Sequence, residues 1–302
     1  MNNSKHSETV VPEKGINQQS FMQKLLSYKK HPGSFVILLL VLFSAVITVA
    51  VLFYLIAYIL IHGVPYLTPE LFSWTYNSEN VSLMPALINT LYMTALSLLI
   101  AVPLGIGAAI YLAEYAKKGN KLVVLIRVMA ETLQGIPSII YGLFGMLFFV
   151  TALHMGYSIL AGAATLAIMV LPVIMRTTEE ALLSVPDLYR EGSFGLGAGK
   201  LRTVFRIVLP TAVPGILSGV ILATGRIVGE TAALIYTAGT VAEVADSVMD
   251  SGRTLAVHMY SLSREGLHTD QAYATAVILL IIVLLINGIS SLIAKRVTAK
   301  SQ

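Results

Sequence analysis

The chain has 302 residues, no cysteine, 56% hydrophobic and only 12% charged residues, and a mean hydropathy of +0.79. A soluble domain carries about 25% charged residues, so the composition excludes a water-soluble fold and extended disorder, and the absent thiols exclude disulfide scaffolds and zinc–cysteine sites. The net charge of +4 comes without a basic stripe interleaved with aromatics, which argues against nucleic acid; the composition is that of an integral membrane protein.

A polar tail (1–34) precedes the first apolar run, 35–61, which carries no charge over 27 residues. About 20 apolar residues cross the hydrocarbon core, whereas a secretory signal has roughly 7–15. The run therefore predicts an uncleaved first helix. Further spans are predicted at 86–113, 122–153, 158–174, 211–239 and 272–294. The third contains Arg127, Glu131 and Pro137, so its first turns are expected at the interface, with the crossing after Gly135. Irregularities are expected at Pro103, Pro137, Pro172 and Pro214, because neighbouring groups in a bundle re-satisfy the carbonyls that proline frees.

Basic residues set orientation. With the N-terminus inside, the cytoplasmic connections hold Lys5, Lys14, Lys24, Lys29, Lys30, Lys117, Lys118, Lys121, Arg176, Arg190, Lys200, Arg202, Arg206, Lys295, Arg296 and Lys300. These are 16 of the 20 basic residues, so both termini are expected in the cytoplasm. The outer loops keep only Arg253 and Arg264. Their acids, among them Glu70, Glu243 and Asp250, either solvate the loops or dock an external partner. Trp74 and Tyr76 are expected as interface anchors.

The connection between the fourth and fifth spans is amphipathic. Ser184–Asp187 breaks a helix, and Asp187 is placed to cap the next one. Leu188, Tyr189, Phe194 and Leu196 give a short helix an apolar face. Gly195, Gly197 and Gly199 permit a turn of positive φ, and a second short helix carries Lys200, Arg202 and Arg206. Gly199-Lys200 is no phosphate loop, since the required glycine and hydroxyl positions hold Phe194 and Leu201.

In the fifth span, Arg226 and Glu230 lie four apart and so share one helical face. Each charge costs ~2.5–3.5 kcal/mol to insert, so both should face a partner helix or a water-filled path. Arginine's planar fork matches an oxyanion, and Glu230 would hold it or release it as the anion passes. The alternative is a structural ion pair ordering the bundle. Gly215, Gly219, Gly225 and Gly229 permit close helix approach. Arg176, with Glu179 and Glu180 at i+3 and i+4, is either a local salt-bridge set or a second arginine on the anion's exit path. His62, His154, His258 and His268 have no metal-ligand spacing. No Asp pair, Ser-Lys, Ser-His or His-Glu metal motif lies in the spans, so the chain is expected not to be an enzyme.

Glu191-Gly192-Ser193, then Gly197, then Ile207, Leu209 and Pro210 resemble the EAA signature of ATP-binding-cassette (ABC) importer permeases, with Gly192 and Ser193 replacing two alanines of comparable size. The resemblance implies an all-α integral membrane protein with the type I ABC importer permease fold: six transmembrane helices and a coupling helix, about 187–210, seated on the ATPase. Asp187, Tyr189, Glu191, Gly192, Phe194, Gly197, Ile207, Leu209 and Pro210 are then the expected coupling residues.

Segments 131–145, 175–192 and 225–239, with the loop 255–266, are similar to phosphate-specific permeases of the PstA type. That likeness covers about 80–295, the expected permease core, followed by a cytoplasmic tail (296–302). It implies ATP-driven import of inorganic phosphate across a bacterial or archaeal plasma (inner) membrane by alternating access, with Arg226 and Glu230 serving phosphate passage. It further implies a second related permease, a dimeric ATPase holding ATP and magnesium, and an external phosphate-binding protein, with no cofactor on this chain. A permease for another oxyanion, the companion phosphate permease, and a secondary transporter of anions remain as alternatives.

Overall fold

The structure, a computed structural model, describes residues 32–117 and 119–301; most of the tail predicted at 1–34 lies outside them. All regular structure among the described residues is helical. Five helices are long and apolar enough to cross a membrane, and a bent pair makes a possible sixth crossing. Contacts divide the chain into two units, Met1–Tyr58 and Ile59–Gln302.

Helix α1, Pro32–Gly63, contains the first predicted span. Its apolar side chains are largely exposed in the single chain, as suits a helix whose solvent is lipid or another subunit. Ser44 and Thr48 donate to the Leu40 and Ser44 carbonyls, both at 2.8 Å, so neither hydroxyl needs water.

In the second unit, α2 (Met84–Ile110) runs on through a widened turn, Tyr111–Tyr115. The third predicted span is broken. Helix α3 (Lys121–Gln134) and α4 (Ser138–Gly145, extended by wide turns to Ala152) meet at 103°. Pro137 brings no N–H and disfavours helix at Ile136, so the backbone turns there. Helix α5, Ile159–Leu183, extends well past the predicted end at 174, so Arg176, Glu179 and Glu180 lie inside it.

The connection after α5 differs from two short helices flanking a glycine turn. Helix α6 is Asp187–Gly195, but the second segment starts a continuous helix α7, Lys200–Val228, with a widened turn at Val204–Val208. That turn stands immediately before Pro210, whose missing N–H a regular helix cannot accommodate without a lost bond. The predicted fifth span at 211–239 therefore begins too late and also ends too late. Its far part is a break at Gly229–Thr231 and a four-residue helix α8, Ala232–Ile235. Helix α9 (Leu255–Glu265) and the last helix α10 (Thr269–Ser301) complete the chain.

Helices α2, α5 and α7 form the centre, with Met93, Leu166, Val170, Ile174, Ala223 and Ile227 in one core. Gly215 and Gly219 set the α5–α7 approach. A β-carbon on Gly215 would stand 2.5 Å from Ala181 Cβ, and one on Gly219 would collide with the Thr177 hydroxyl. Gly225 and Gly229 meet no neighbouring helix closely, so only half of the expected glycine seam is used. At the end away from α6, the 240–254 segment is pinned to α2. Buried Asn89 donates to the Glu243 carbonyl (2.8 Å) and accepts from Ala245 N–H (3.1 Å), while Thr90 accepts from Leu255 N–H (2.8 Å).

Candidate functional site

The α5–α7 packing fixes the depth of Arg226. Gly215 faces Ala181 and Gly219 faces Thr177, so the antiparallel register puts Arg226 level with Val170. At ~1.5 Å per residue, that is about 17 Å from the Ile159 end of α5 and about 20 Å from its Leu183 end. Arg226 is half-buried.

Arg226 is not paired with Glu230, contrary to the expectation of a shared helical face. Helix α7 ends at Val228, and buried Glu230 turns forward to accept the Ala233 N–H at 3.1 Å. A carboxylate at a helix start gains from the unpaired N–H groups there, and that gain displaces the i,i+4 pairing. Among the described residues no carboxylate stands within ion-pairing distance of Arg226. A mid-depth arginine in this state is able to receive an anion.

Arg176 lies six residues of register, about 9 Å, from Arg226 toward α6. It pairs with Glu180 (3.1 Å) and across to Glu131 of α3 (3.3 Å). Glu179, expected as its partner, is buried and takes Arg127 instead, whose Nε donates at 2.7 Å. These groups line a cavity of about 300 Å³. The Arg176 side chain is 44% exposed and its two acids more so. Exposed pairs are worth only ~0–1 kcal/mol, so these acids hold Arg176 weakly.

The α6 loop is built differently. Arg190 sits at its base, with a side chain 14% exposed against a Glu114 side chain 7% exposed. It donates to Glu114 Oε1 (2.7 and 3.1 Å), the Val185 carbonyl (2.6 Å), the Leu182 carbonyl (2.8 Å) and Asp187 (3.2 Å). Asp187 is thus a first-turn acid bonded to Arg190; Pro186 takes the capping position and makes no side-chain cap. Buried Ser193 bonds Thr203 at 2.8 Å, tying α6 to the start of α7. Gly192 is exposed and meets nothing, so the small pair is not used for close packing on both sides. Of the three turn glycines only Gly197 has positive φ, +82°. Gly199 is extended at −74°, and Gly195 closes α6.

Above this braced base the loop offers an apolar surface. Leu188, Tyr189, Phe194, Leu196, Leu201 and Phe205 are exposed, Leu196 at 91%. Glu191 is exposed, whereas Ile207 and Leu209 are half-covered and Pro210 is open. A groove of about 570 Å³ runs between Leu188, Tyr189, Leu196, Gly197, Arg202 and Ile207. Removing one partner of the buried pair strands a charge and costs ~3–5 kcal/mol. Arg190→Ala is therefore expected to destabilise the protein by about that amount, read as a fall in melting temperature in detergent; a shift within experimental error would make the brace dispensable. Sequence reasoning counted Arg190 only as an orienting charge and passed over Glu114, which lies 76 residues away.

A lipid-spanning helical bundle with a mid-depth arginine that no carboxylate among the described residues pairs with, and a braced apolar loop at one end, has the construction of a transporter's membrane subunit. Residues 101–300 match the family described as "Binding-protein-dependent transport system inner membrane component". The chain belongs to this family, the membrane permeases of ABC importers. It is 36% identical over 278 residues to "Probable ABC transporter permease protein YqgI" of Bacillus subtilis (strain 168), covering 84% of this chain and 94% of that protein. It is 38% identical over 173 residues to "Phosphate transport system permease protein PstA 1" of Mycobacterium tuberculosis (strain ATCC 25618 / H37Rv), covering 55% of this chain and 56% of that one. The fold is shared with a chain of the bacterial alginate ABC transporter solved in complex with alginate-pentasaccharide-bound periplasmic protein, at TM-score 0.65 and 16% identity over 90% of this chain and 98% of that chain. The type I ABC importer permease fold is therefore the fold of this protein. The catalytic ATPase is not part of such a subunit, and the described residues contain no metal-binding cluster.

Proposed function

We propose that this chain is the membrane subunit through which inorganic phosphate enters the cytoplasm, in an ATP-driven importer of the alternating-access type. The observation that carries the proposal is Arg226, half-buried at mid-depth and free of any carboxylate among the described residues. Its fork presents paired N–H donors to a tetrahedral oxyanion in a low-dielectric setting, where charge-assisted bonds are strong. Glu230, engaged with Ala233, keeps the α7 break in place and leaves Arg226 un-neutralised. The phosphate permeases among the relatives support the choice of anion.

The α6 end faces the cytoplasm in this reading, as the distribution of basic residues requires. A dimeric ATPase holding ATP and magnesium would seat the apolar α6 loop, with Tyr189, Phe194 and Leu196 inserted and Asp187, Glu191 and Pro210 at the margin. Closure of the ATPase pushes a loop that cannot yield, because Arg190 and Glu114 anchor it to α2. The bundle then rocks against a second related permease. Arg176 stands on the cytoplasmic side of Arg226 and exchanges Glu131 and Glu180 for the passing anion. An external phosphate-binding protein would deliver the anion at the opposite face.

The test is uptake of labelled phosphate by vesicles carrying the assembled complex. Uptake is expected only with ATP and the ATPase. Uptake that persists without the ATPase makes the protein a secondary transporter, and ATP-dependent uptake of sulfate but not phosphate moves it to another oxyanion.

A further inference from the structure

The sequence leaves two basic residues in the connections opposite α6, Arg253 and Arg264, and the fold brings both to one cavity of about 220 Å³. Thr240, Tyr260, Ser261 and Glu265 share its walls. Arg253 is only 5% exposed, and its Nε and Nη2 have no hydrogen-bond partner among the described residues. Its guanidinium lies over the Tyr76 ring at 4.7 Å, so its face is covered while its buried Nε and Nη2 remain without a hydrogen-bond partner among the described residues. No carboxylate among the described residues pairs with Arg253 or Arg264.

The surroundings keep that charge unneutralised. His258 lies beside it, and burial, followed by the charge of Arg253, pushes the imidazole down to about 3, so the ring is neutral near pH 7 and adds no second positive charge. Glu265 is on the exposed rim. The position is fixed by the backbone: Arg253 N–H donates to the Val241 carbonyl (2.9 Å), its own carbonyl accepts from Asn89 (3.4 Å), and Thr254 caps α9. A buried ion without partners is costly, and Tyr260, Ser261 and Thr240, which line the cavity, carry hydroxyls that can donate to an anion that relieves it.

We infer that this cavity is a second oxyanion site, which receives inorganic phosphate before it moves to Arg226. Ile235 lines the cavity and belongs to the segment that begins at the α7 break beside Arg226, so one stretch of chain joins the two sites. The identity of the anion rests on the proposed phosphate function; the existence of an oxyanion site does not.

Two measurements test this: melting of the assembled complex in nanodiscs without the binding protein, and uptake by vesicles carrying the complex with the binding protein present. Thermal melting is compared in phosphate, sulfate and chloride for the wild type and for Arg253→Gln, Arg253→Lys and Arg226→Gln. Phosphate is expected to raise the melting temperature of wild type most, that of Arg226→Gln and of Arg253→Gln by less because each keeps one of the two sites, and that of Arg253→Lys by an amount between wild type and Arg253→Gln. Uptake with the binding protein present is then expected to need on the order of tenfold more phosphate in Arg253→Gln, the equivalent of one lost charge-assisted bond. An equal phosphate shift in wild type and Arg253→Gln overturns the site. So does an Arg253→Gln complex that keeps the phosphate shift but fails to capture the binding protein, since the arginine then holds a carboxylate of that partner. Protection by sulfate alone through Arg253 keeps the oxyanion site and removes the phosphate function. Should Arg253→Gln fail to assemble, Arg264→Gln on the exposed rim is the second variant, and an unchanged uptake requirement there overturns the inference.

Discussion

Arg226→Gln is expected to abolish phosphate uptake while the complex remains assembled. Glutamine keeps a polar side chain of similar reach but removes the positive charge and the paired donors. Each charge-assisted hydrogen bond is worth about 1.5–3 kcal/mol, so loss of a bidentate contact at the barrier lowers transport on the order of a hundredfold or more. Assembly should survive because Arg226 has no carboxylate partner among the described residues, so its replacement strands no charge. Melting temperature is therefore unchanged or raised, since the cost of holding an arginine at that depth disappears. This separates Arg226 from Arg190, where truncation strands buried Glu114. Uptake within twofold of wild type, measured at saturating phosphate, would falsify the role assigned to Arg226.

Gly197→Pro is expected to uncouple ATP hydrolysis from transport. Gly197 has φ +82°, whereas proline is fixed near −65°, and the substitution also deletes the N–H that donates to the Phe194 carbonyl at 2.9 Å. The turn that closes α6 then cannot form. The base of α6 stays anchored by Arg190, so the damage is confined to the tip that would meet the ATPase. Hydrolysis should continue while the phosphate carried per ATP falls on the order of tenfold, the effect of about 1.4 kcal/mol in coupling. Gly197→Ala, whose left-handed conformation costs only ~1–2 kcal/mol, should fall between. The ratio of phosphate moved to ATP hydrolysed is the quantity to follow, and an unchanged ratio in the proline variant removes the loop from the coupling path.

Two arginines that are alike in sequence acquire opposite roles through burial and partners. Arg190 is enclosed and donates five hydrogen bonds to protein acceptors, so it is a brace. Arg176 is open, with two exposed acids, so it is suited to exchange. Glu230 shows the same principle in reverse: its carboxylate spends itself on a backbone N–H of α8, and the anion-receiving arginine is left free.

The chain's scarce charge and long apolar runs were sufficient to determine a membrane bundle, because the length of an apolar run and the cost of inserting charge are local properties. The loop signature from Glu191 to Pro210 and the mid-span position of Arg226 were legible for the same reason. Helix ends were less so. The apolar composition continues through Gly239 although α7 stops at Val228, because a glutamate three residues before Ala233 starts a new turn, and hydropathy does not register capping. The bend at Pro137 was legible as a local breaker, but not its angle of 103°. What only tertiary structure decided are pairings between distant residues: Glu114 with Arg190, Asn89 with the 243–253 segment, and Arg253 with Arg264 across one cavity. Each depends on which side chains meet after burial, when an unpartnered polar group becomes costly. The 12% of residues that carry charge marked the candidates, and the fold determined which were braced and which were left open to an anion.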